Sequence, residues 1–277
     1  MGDVLVVIGV GGMGGTIARR LAPGRTTVLA DYNESLLSAT ADSMRADGFD
    51  VVAQHVDVSS RESVHRLVEF VAKTGKLSTL VHTAGVSPTM MPLDRILAID
   101  LAGVAYTLEE FGAIVNPDTA GVVVSSMSSY LSRPFTPEQE HAIRVSTGEQ
   151  LLKLDFFSEA ALGNSGVGYG VAKLANRIQV QAASIAWGAR GARINAVSPG
   201  VISTGMGQQE LDSPSGAFMQ AMVDNSGTGR IGTASDIADA VTFLVGPQAS
   251  FITGIDLLVD GGAIAAVYSG KVPLPTA

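Results

Sequence analysis

The chain has 277 residues, 46% of them hydrophobic and 16% charged, with 18 Lys and Arg against 26 Asp and Glu for a formal net charge of −8. That length suits one large α/β domain or two small ones, and the acidic balance argues against nucleic acid or an anionic membrane as partner, since both recruit clustered cations. The absence of cysteine excludes disulfides, thiol catalysis and Cys-based metal sites, and His55, His65, His82 and His141 are too dispersed to suggest a metal site.

The first predicted strand, 3–9 (DVLVVIG), runs directly into VGGMGGTIARRLA. No basic stretch or cleavage site precedes it, Val6 stands where a myristoylation signal needs Ser or Thr, and no apolar run approaches ~18 residues. A cytoplasmic protein without a membrane segment is expected. Gly9, Gly11 and Gly14 fit G-x-G-x-x-G between strand and helix. Gly9 permits the tight turn, Gly11 lets backbone approach a pyrophosphate, and Gly14 lets the helix pack on the strand. The helix N-terminus then offers free N–H groups to phosphate.

The second strand, 26–31 (TTVLAD), ends in Asp31, 22 residues after Gly9. A carboxylate there accepts from both ribose hydroxyls of a dinucleotide and repels a 2′-phosphate. No Arg or Lys adjoins the glycines, so the expected cofactor is NAD rather than NADP. The competing reading is a glycine turn with a helix-capping Asp. After a helix-like stretch at 33–48, the third strand, 50–57, ends at Asp57 and Val58, a position that borders adenine in such folds. The alternative is a cap for the next helix, 60–75, which Ser59 or Ser60 could equally provide.

The fourth to seventh strands are 78–85 (STLVHTAG), 120–126 (AGVVVSS), 192–200 (ARINAVSPG) and 255–262 (IDLLVDGG). All seven runs are apolar on both faces and alternate with helices, the pattern of a doubly wound, Rossmann-like parallel sheet. Ligands then bind at the carboxyl ends of the strands. Before the sixth strand lies GYGVAKLANRIQ. Val171, Leu174, Ala175, Ile178, Ala182 and Ile185 recur at helical spacing and form the predicted buried face. Tyr169 and Lys173, four apart, stack on another face. Trp187 and Gly188 mark the helix end.

The ordered set of the glycine loop, Asp31, DV at 57–58, TAG at 83–85, VVVSSMSS, YGVAK, RINAVSPGVIST and ITGIDLLVDGG resembles the short-chain dehydrogenase/reductase family across nearly the whole chain. The resemblance implies one Rossmann-like domain over 1–277, assembled as a dimer or tetramer, that moves a hydride between NAD(H) and an alcohol or ketone. It implies that Tyr169 is the acid/base, that Lys173 and the positive nicotinamide together lower its pKa, and that Lys173 holds the nicotinamide ribose. Ser126 would bind the substrate oxygen, with Ser125, Ser128 and Ser129 as competitors. Asp100 stands where the family usually has an Asn that holds a water beside the lysine; a proton-relay role and a plain polar helix position are both open. Gly9, Gly11, Gly12, Met13 and Gly14 would bind phosphate, Thr83, Ala84 and Gly85 the adenosine side. Pro199, Gly200, Ile202 and Thr204 would run along the nicotinamide, although Ser203 and Thr204 can also cap the next helix.

Three departures stand out. The glycine loop is one residue short and has Ile8 in place of a Thr. Thr83 replaces an Asn, and His82 reads as a core or strand-end residue. Residues 131–163 form an insertion before the Tyr-x-x-x-Lys helix, read as two short helices beginning at Thr136 (capping box with Gln139) and at Ser146 (with Glu149). Its apolar residues suit a wall of the substrate cleft, a changed oligomer interface, or inert decoration. Segment 205–229 reads as a flexible substrate loop without Arg or Lys, its methionines suiting either an adaptable apolar wall or ordinary helix packing, so a neutral, apolar secondary alcohol or ketone of steroid or terpenoid type, or a smaller one, is expected. Two other functions remain: an NAD-binding regulator without turnover, and an epimerase or dehydratase on the same fold.

Overall fold

A computed structural model describes residues 2–274. The seven apolar runs become β1 (Asp3–Ile8), β2 (Thr26–Asp31), β3 (Val51–His55), β4 (Lys76–His82), β5 (Ala120–Val124), β6 (Arg193–Pro199) and β7 (Asp256–Val259). They pair in the order β3-β2-β1-β4-β5-β6-β7, every pair parallel. The doubly wound α/β expectation holds. Strand order reverses between β1 and β4, and Ile8 is the register partner of His82. The turns that leave these two strands therefore lie side by side, at the place where such sheets bind ligands.

The helices are α1 (Gly12–Leu21), α2 (Glu34–Ala46), α3 (Arg61–Thr74), α4 (Leu93–Ile96), α5 (Gly103–Gly112), α6 (Ser128–Leu131), α7 (Pro137–Val145), α8 (Gly148–Leu151), α9 (Glu159–Leu162), α10 (Ser165–Gly188), α11 (Gly205–Leu211), α12 (Gly216–Asp224), α13 (Ala234–Val245) and α14 (Ala263–Tyr268). Alternate strand residues face opposite layers. Leu5, Val7, Leu29, Val81 and Val122 pack with Ile17 of α1, Met44 of α2 and Val241 of α13. Val4, Val6, Ile8, Leu80 and Val123 pack with Leu67 of α3, Phe111 of α5 and Trp187 of α10. Both faces are thus dry, which is why the strands read as unbroken apolar runs. No helix of the described residues is long and apolar enough to cross a membrane.

Three expectations need correction. In α10, Ile185 is 77% exposed, while Gly170, Ala172, Lys173, Asn176, Gln179 and Val180 are buried. Val171, Ala175 and Ile178 of the expected apolar face are buried, but the helix is wrapped on several sides, so burial extends beyond that face and does not reach Ile185. Residues 131–163 form shorter pieces than two helices: α7, α8, a 3-10 turn at Asp155–Phe157 and α9. The Thr136–Gln139 capping box starts α7, but the second box is Thr147–Gln150, one residue beyond the expected start. Segment 205–229 is not simply a loop; it carries α11 and α12.

The insertion is joined to the body. Ile143, Leu151, Phe157 and Leu162 form one cluster with Leu97, Leu101, Ala105, Val171, Ala175 and Ile178. At its edge Arg61 of α3 pairs with Glu109 (3.2 Å), Glu110 (2.8 Å) and Glu149 (3.2 Å). Half-exposed pairs of this kind contribute little singly; the buried apolar contact holds the segment.

Candidate active site

The glycine turn is built by close approach. Gly9 has φ +88°, and a Cβ there would lie 2.5 Å from the Ala84 nitrogen. A Cβ at Gly14 would lie 1.8 Å from the Gly9 carbonyl oxygen. The Thr83 hydroxyl donates to that carbonyl at 2.7 Å, tying the turn to the end of β4. Gly11 is the N-cap of α1 and would meet nothing if it carried a Cβ. The first turn of α1 has no side-chain cap and no acidic residue, and Gly12 and Met13 open it. Its N–H groups fit a phosphate.

Asp31 closes one side of this turn. Its Oδ2 accepts from the Val10 N–H (2.7 Å) and its Oδ1 from the Asn33 N–H (2.8 Å). Each oxygen keeps a further lone pair for a ribose hydroxyl. The cap of α2 is Asn33, not Asp31. At the end of β3, Asp57 Oδ1 accepts from the Ser59 backbone (2.9 Å) and hydroxyl (2.6 Å), and Ser60 caps α3. Val58 is buried against Gly103. The residues present fit an adenine dinucleotide: a φ-positive turn, an uncapped helix start and an acid at the end of the second strand.

Ser126, Tyr169, Lys173 and Asp100 converge from β5, α10 and the segment before α5. Lys173 Nζ lies 2.9 Å from Asp100 Oδ1, with both side chains almost wholly buried. It also reaches the Val124 carbonyl at 3.5 Å and lies 5.5 Å from the centre of the Tyr169 ring. Asp100 sits in one turn of π-helix, Leu97–Ala102, and its Oδ2 accepts from the Val86 N–H at 3.2 Å. Gly85 leaves room for the pair: a Cβ there would be 2.6 Å from Asp100 Oδ1. Asp100 is thus the counter-ion of Lys173.

The serines separate by their bonds. Ser125 donates to the Lys173 carbonyl at 2.8 Å, a helix-anchoring contact. Ser126 has its hydroxyl beside the Tyr169 phenol and accepts from the Ser128 N–H at 3.2 Å. The Ser128 hydroxyl is buried without a partner, and Ser129 is buried near Arg177.

The electrostatics differ from the simple expectation. Burial raises the Tyr169 pKa; Lys173 opposes this, but Asp100 and Glu210 add to it, and the phenol ends above its ordinary value. Burial pushes the Lys173 ammonium down, yet Asp100, Tyr169 and Glu210 together outweigh burial and hold it charged. His82 is fully buried with neither ring nitrogen hydrogen-bonded. Burial, then Lys173, lower its pKa to about 3, an effect the nearby Ala84 backbone only partly offsets. A neutral core imidazole is the result.

After β6, the Pro199 carbonyl accepts from the Met127 N–H (2.8 Å), and Gly200 approaches Asp260 closely. Ile202 is buried and bridges to Gly232. Thr204 caps α11 by accepting from the Gly207 N–H at 3.1 Å, and its methyl packs on Gly12. The cap leaves its hydroxyl proton free. Sequence reasoning missed Glu210 of α11, whose charge acts on Lys173 and Tyr169. Nothing in GMGQQELD singled it out, since two glutamines precede the acid and Asp212 follows. It also missed Tyr130, Ser198 and Arg177, which converge on Asp256 at 2.7, 2.9 and 3.2 Å and brace α10 and the Ser126 segment against β7. No group of three or more metal-ligating side chains occurs among the described residues.

The family model described as "Enoyl-(Acyl carrier protein) reductase" matches residues 9–263. The chain is 38% identical over 265 residues to "Short-chain dehydrogenase/reductase bsc3" of Alternaria brassicicola, covering 95% of this chain and 96% of that one. It is 29% identical over 273 residues to the cyclopentanol dehydrogenase of Comamonas testosteroni, covering 95% and 96%. Among solved structures, a Brucella melitensis protein titled "Short-chain dehydrogenase/reductase SDR:Glucose/ribitol dehydrogenase" superposes with a TM-score of 0.74 at 26% identity, over 94% of this chain and 96% of that one.

Proposed function

Because the chain belongs to the short-chain dehydrogenase/reductase family, we propose that it is an NAD-dependent dehydrogenase or ketone reductase acting on a neutral, largely apolar secondary alcohol or ketone. The observation that carries this is the convergence of Ser126, Tyr169 and Lys173 beside the Gly9–Gly14 turn. When bound, the nicotinamide supplies the hydride acceptor or donor. The chain's own residues handle the oxygen and its proton. Ser126 donates to the reacting oxygen and fixes its place. Tyr169 takes the alcohol proton in oxidation and returns it in reduction. The Lys173 ammonium favours the phenolate, and Asp100 holds that ammonium in position. Asp31, with its remaining lone pairs facing the ribose side and no cation adjoining the turn, supports NAD over NADP.

Phe243, Phe251 and Ile255, exposed around edge strand β7, support self-association as a dimer or tetramer, which light scattering tests. A cytoplasmic location belongs to the same reading. The activity test is NADH formation over hydroxysteroids, terpenols and simple secondary alcohols, repeated with NADP. Tyr169→Phe should lower turnover by roughly a thousandfold or more. Full turnover by that variant, or a clear preference for NADP, would refute the corresponding assignment.

A further inference from the structure

The Ser126 hydroxyl takes its place from the turn that follows it. Its oxygen accepts from the Ser128 N–H at 3.2 Å, and the Ser126 and Met127 carbonyls accept from the Ser129 and Tyr130 N–H groups at 3.1 and 2.9 Å. The hydroxyl proton is not used in that bond and is left for a substrate oxygen. Where the turn lies therefore decides where the proton points. Tyr130 ties the turn to three other elements. Its phenol donates to Asp256 Oδ2 of β7 at 2.7 Å, the Arg177 guanidinium of α10 stacks on its ring at 4.0 Å, and its carbonyl accepts from the Tyr268 hydroxyl of α14 at 2.6 Å. Burial and then Asp256 push the phenol well above its ordinary pKa, so it stays a donor.

Asp256 also holds the other half of the site. Arg177 Nε lies 3.2 Å from the same Oδ2. Tyr169, Lys173 and Arg177 follow one another at four-residue spacing, so they share one face of α10. The Ser198 hydroxyl of β6 lies 2.9 Å from each oxygen of Asp256. The Asp256 side chain is only 6% exposed, and a carboxylate so far from water is favourable only while its partners stay in place. One buried carboxylate is thus linked through Tyr130 to Ser126, and through Arg177 to the helix of Tyr169 and Lys173. Between these links α6 lies directly on α10: a Cβ at Gly170, next to Tyr169, would be 2.5 Å from the Ser132 hydroxyl and 3.4 Å from the Ser128 carbonyl.

Resting on the dehydrogenase reading above, we infer that Asp256 is a positioning residue for the reaction: through Tyr130 and Arg177 it sets the separation of the Ser126 hydroxyl and the Tyr169 phenol at which both bind one substrate oxygen. It acts through these neighbours and not on the substrate. Its loss frees the serine turn to shift against α10, which slows the chemical step more than it weakens substrate binding.

The test is steady-state kinetics with NAD and the best-used alcohol of the panel above, be it a hydroxysteroid, a terpenol or a simple secondary alcohol. The variants are Tyr130→Phe, Asp256→Asn, Asp256→Leu, Ser126→Ala and the double variant Tyr130→Phe with Ser126→Ala. Tyr130→Phe deletes one oxygen and keeps the ring under Arg177. It should lower kcat by roughly 10-fold or more with KM changed less than about twofold, since misplacement by about an ångström costs up to ~100-fold. Asp256→Asn keeps an acceptor for Tyr130 and Ser198 and should retain more activity than Asp256→Leu; where the latter fails to fold, Tyr130→Phe decides. In the Ser126→Ala background Tyr130→Phe should cost less than about twofold, because the group it positions is gone. A merely structural role would give equal losses in both backgrounds. That result, wild-type kcat in Tyr130→Phe, or a rise in KM alone would sink this inference and leave the dehydrogenase reading standing. Turnover of no alcohol of the panel by the wild type would sink that reading and this inference with it.

Discussion

Replacing Asp100 by Leu leaves the Lys173 ammonium buried with the Val124 carbonyl, 3.5 Å away, as its remaining partner in the protein. At the 2.9 Å separation of the pair, Coulomb's law with an effective dielectric of about 20 gives an attraction of about 6 kcal/mol. Desolvation of the two ions opposes this by several kcal/mol each, so the intact pair is close to neutral against an apolar pair of similar size. Breaking it from one side is different, because one charge stays buried alone. Asp100→Leu should therefore destabilise the protein by about 3–5 kcal/mol. At roughly 2–4 °C per kcal/mol for a large domain, Tm should fall by roughly 6–20 °C. Lys173→Met should cost a similar amount, since a stranded carboxyl must gain a proton much as a stranded ammonium must lose one, each across about 3 pH units. The double variant should return to within about 2 kcal/mol of the wild type. Urea unfolding of the four proteins at neutral pH measures the cycle. Additive losses in the double variant, or an Asp100→Leu loss below about 1 kcal/mol, would refute the buried ion pair as the organising contact of the site.

His82 gives a pH prediction. Its pKa is about 3 when folded and near 6.5 when unfolded, so between these values the unfolded chain holds more protons. The stabilisation is complete above about pH 6.5 and is lost as pH falls towards 3, by up to about 5 kcal/mol; His82→Leu should flatten that loss in urea titrations at successive pH values, and an unaltered slope would count against the buried neutral imidazole. Gly85→Ala places a methyl 2.6 Å from Asp100 Oδ1 and 3.2 Å from Lys173 Nζ. It should cost about 1–3 kcal/mol and reduce kcat together with stability; wild-type values of both would show that the pair has slack. Leu151→Ala, at a fully buried position of the insertion, should cost about 2–5 kcal/mol and speed proteolysis within 131–163. A loss below about 0.5 kcal/mol would mean that the segment is not part of the core.

The strands were legible because a sheet buried on both faces demands unbroken runs such as DVLVVIG and AGVVV. The capping box at Thr136 was legible because a cap is local, needing one hydroxyl and one amide three residues apart. Overlap defeated the next one: Ser146–Glu149 and Thr147–Gln150 are adjacent candidates, and contacts from distant residues accompany the second, with Gly148 against Tyr106 and its N–H donated to Glu109. Burial of α10 was misread at Ile185 because helical spacing reports one face, whereas this helix meets α5, α6, α7 and β6 on several. Within the candidate site, Tyr169 and Lys173 could be paired by spacing. The lysine's partner could not, since a π-helical turn in ILAIDLA has no marker of its own. The Tyr169 pKa was predicted downward from Lys173 and a positive nicotinamide together; the opposing burial and the two acids come from distant parts of the chain. Glu210 was invisible for the same reason.

Asp31 has two attachments, and they bear on how cofactor preference can change. The carboxylate expected to meet the ribose also holds the Val10 N–H at 2.7 Å. Val10 is buried, so an unpartnered amide there costs about 1–3 kcal/mol. Any substitution that makes room for a 2′-phosphate therefore also unfastens the glycine turn. Redesign toward the phosphorylated cofactor becomes a problem of at least two positions, an acceptor for Val10 and a cation for the phosphate. A lineage drifting in that direction would first have to acquire the acceptor, or pass through a protein with a looser loop.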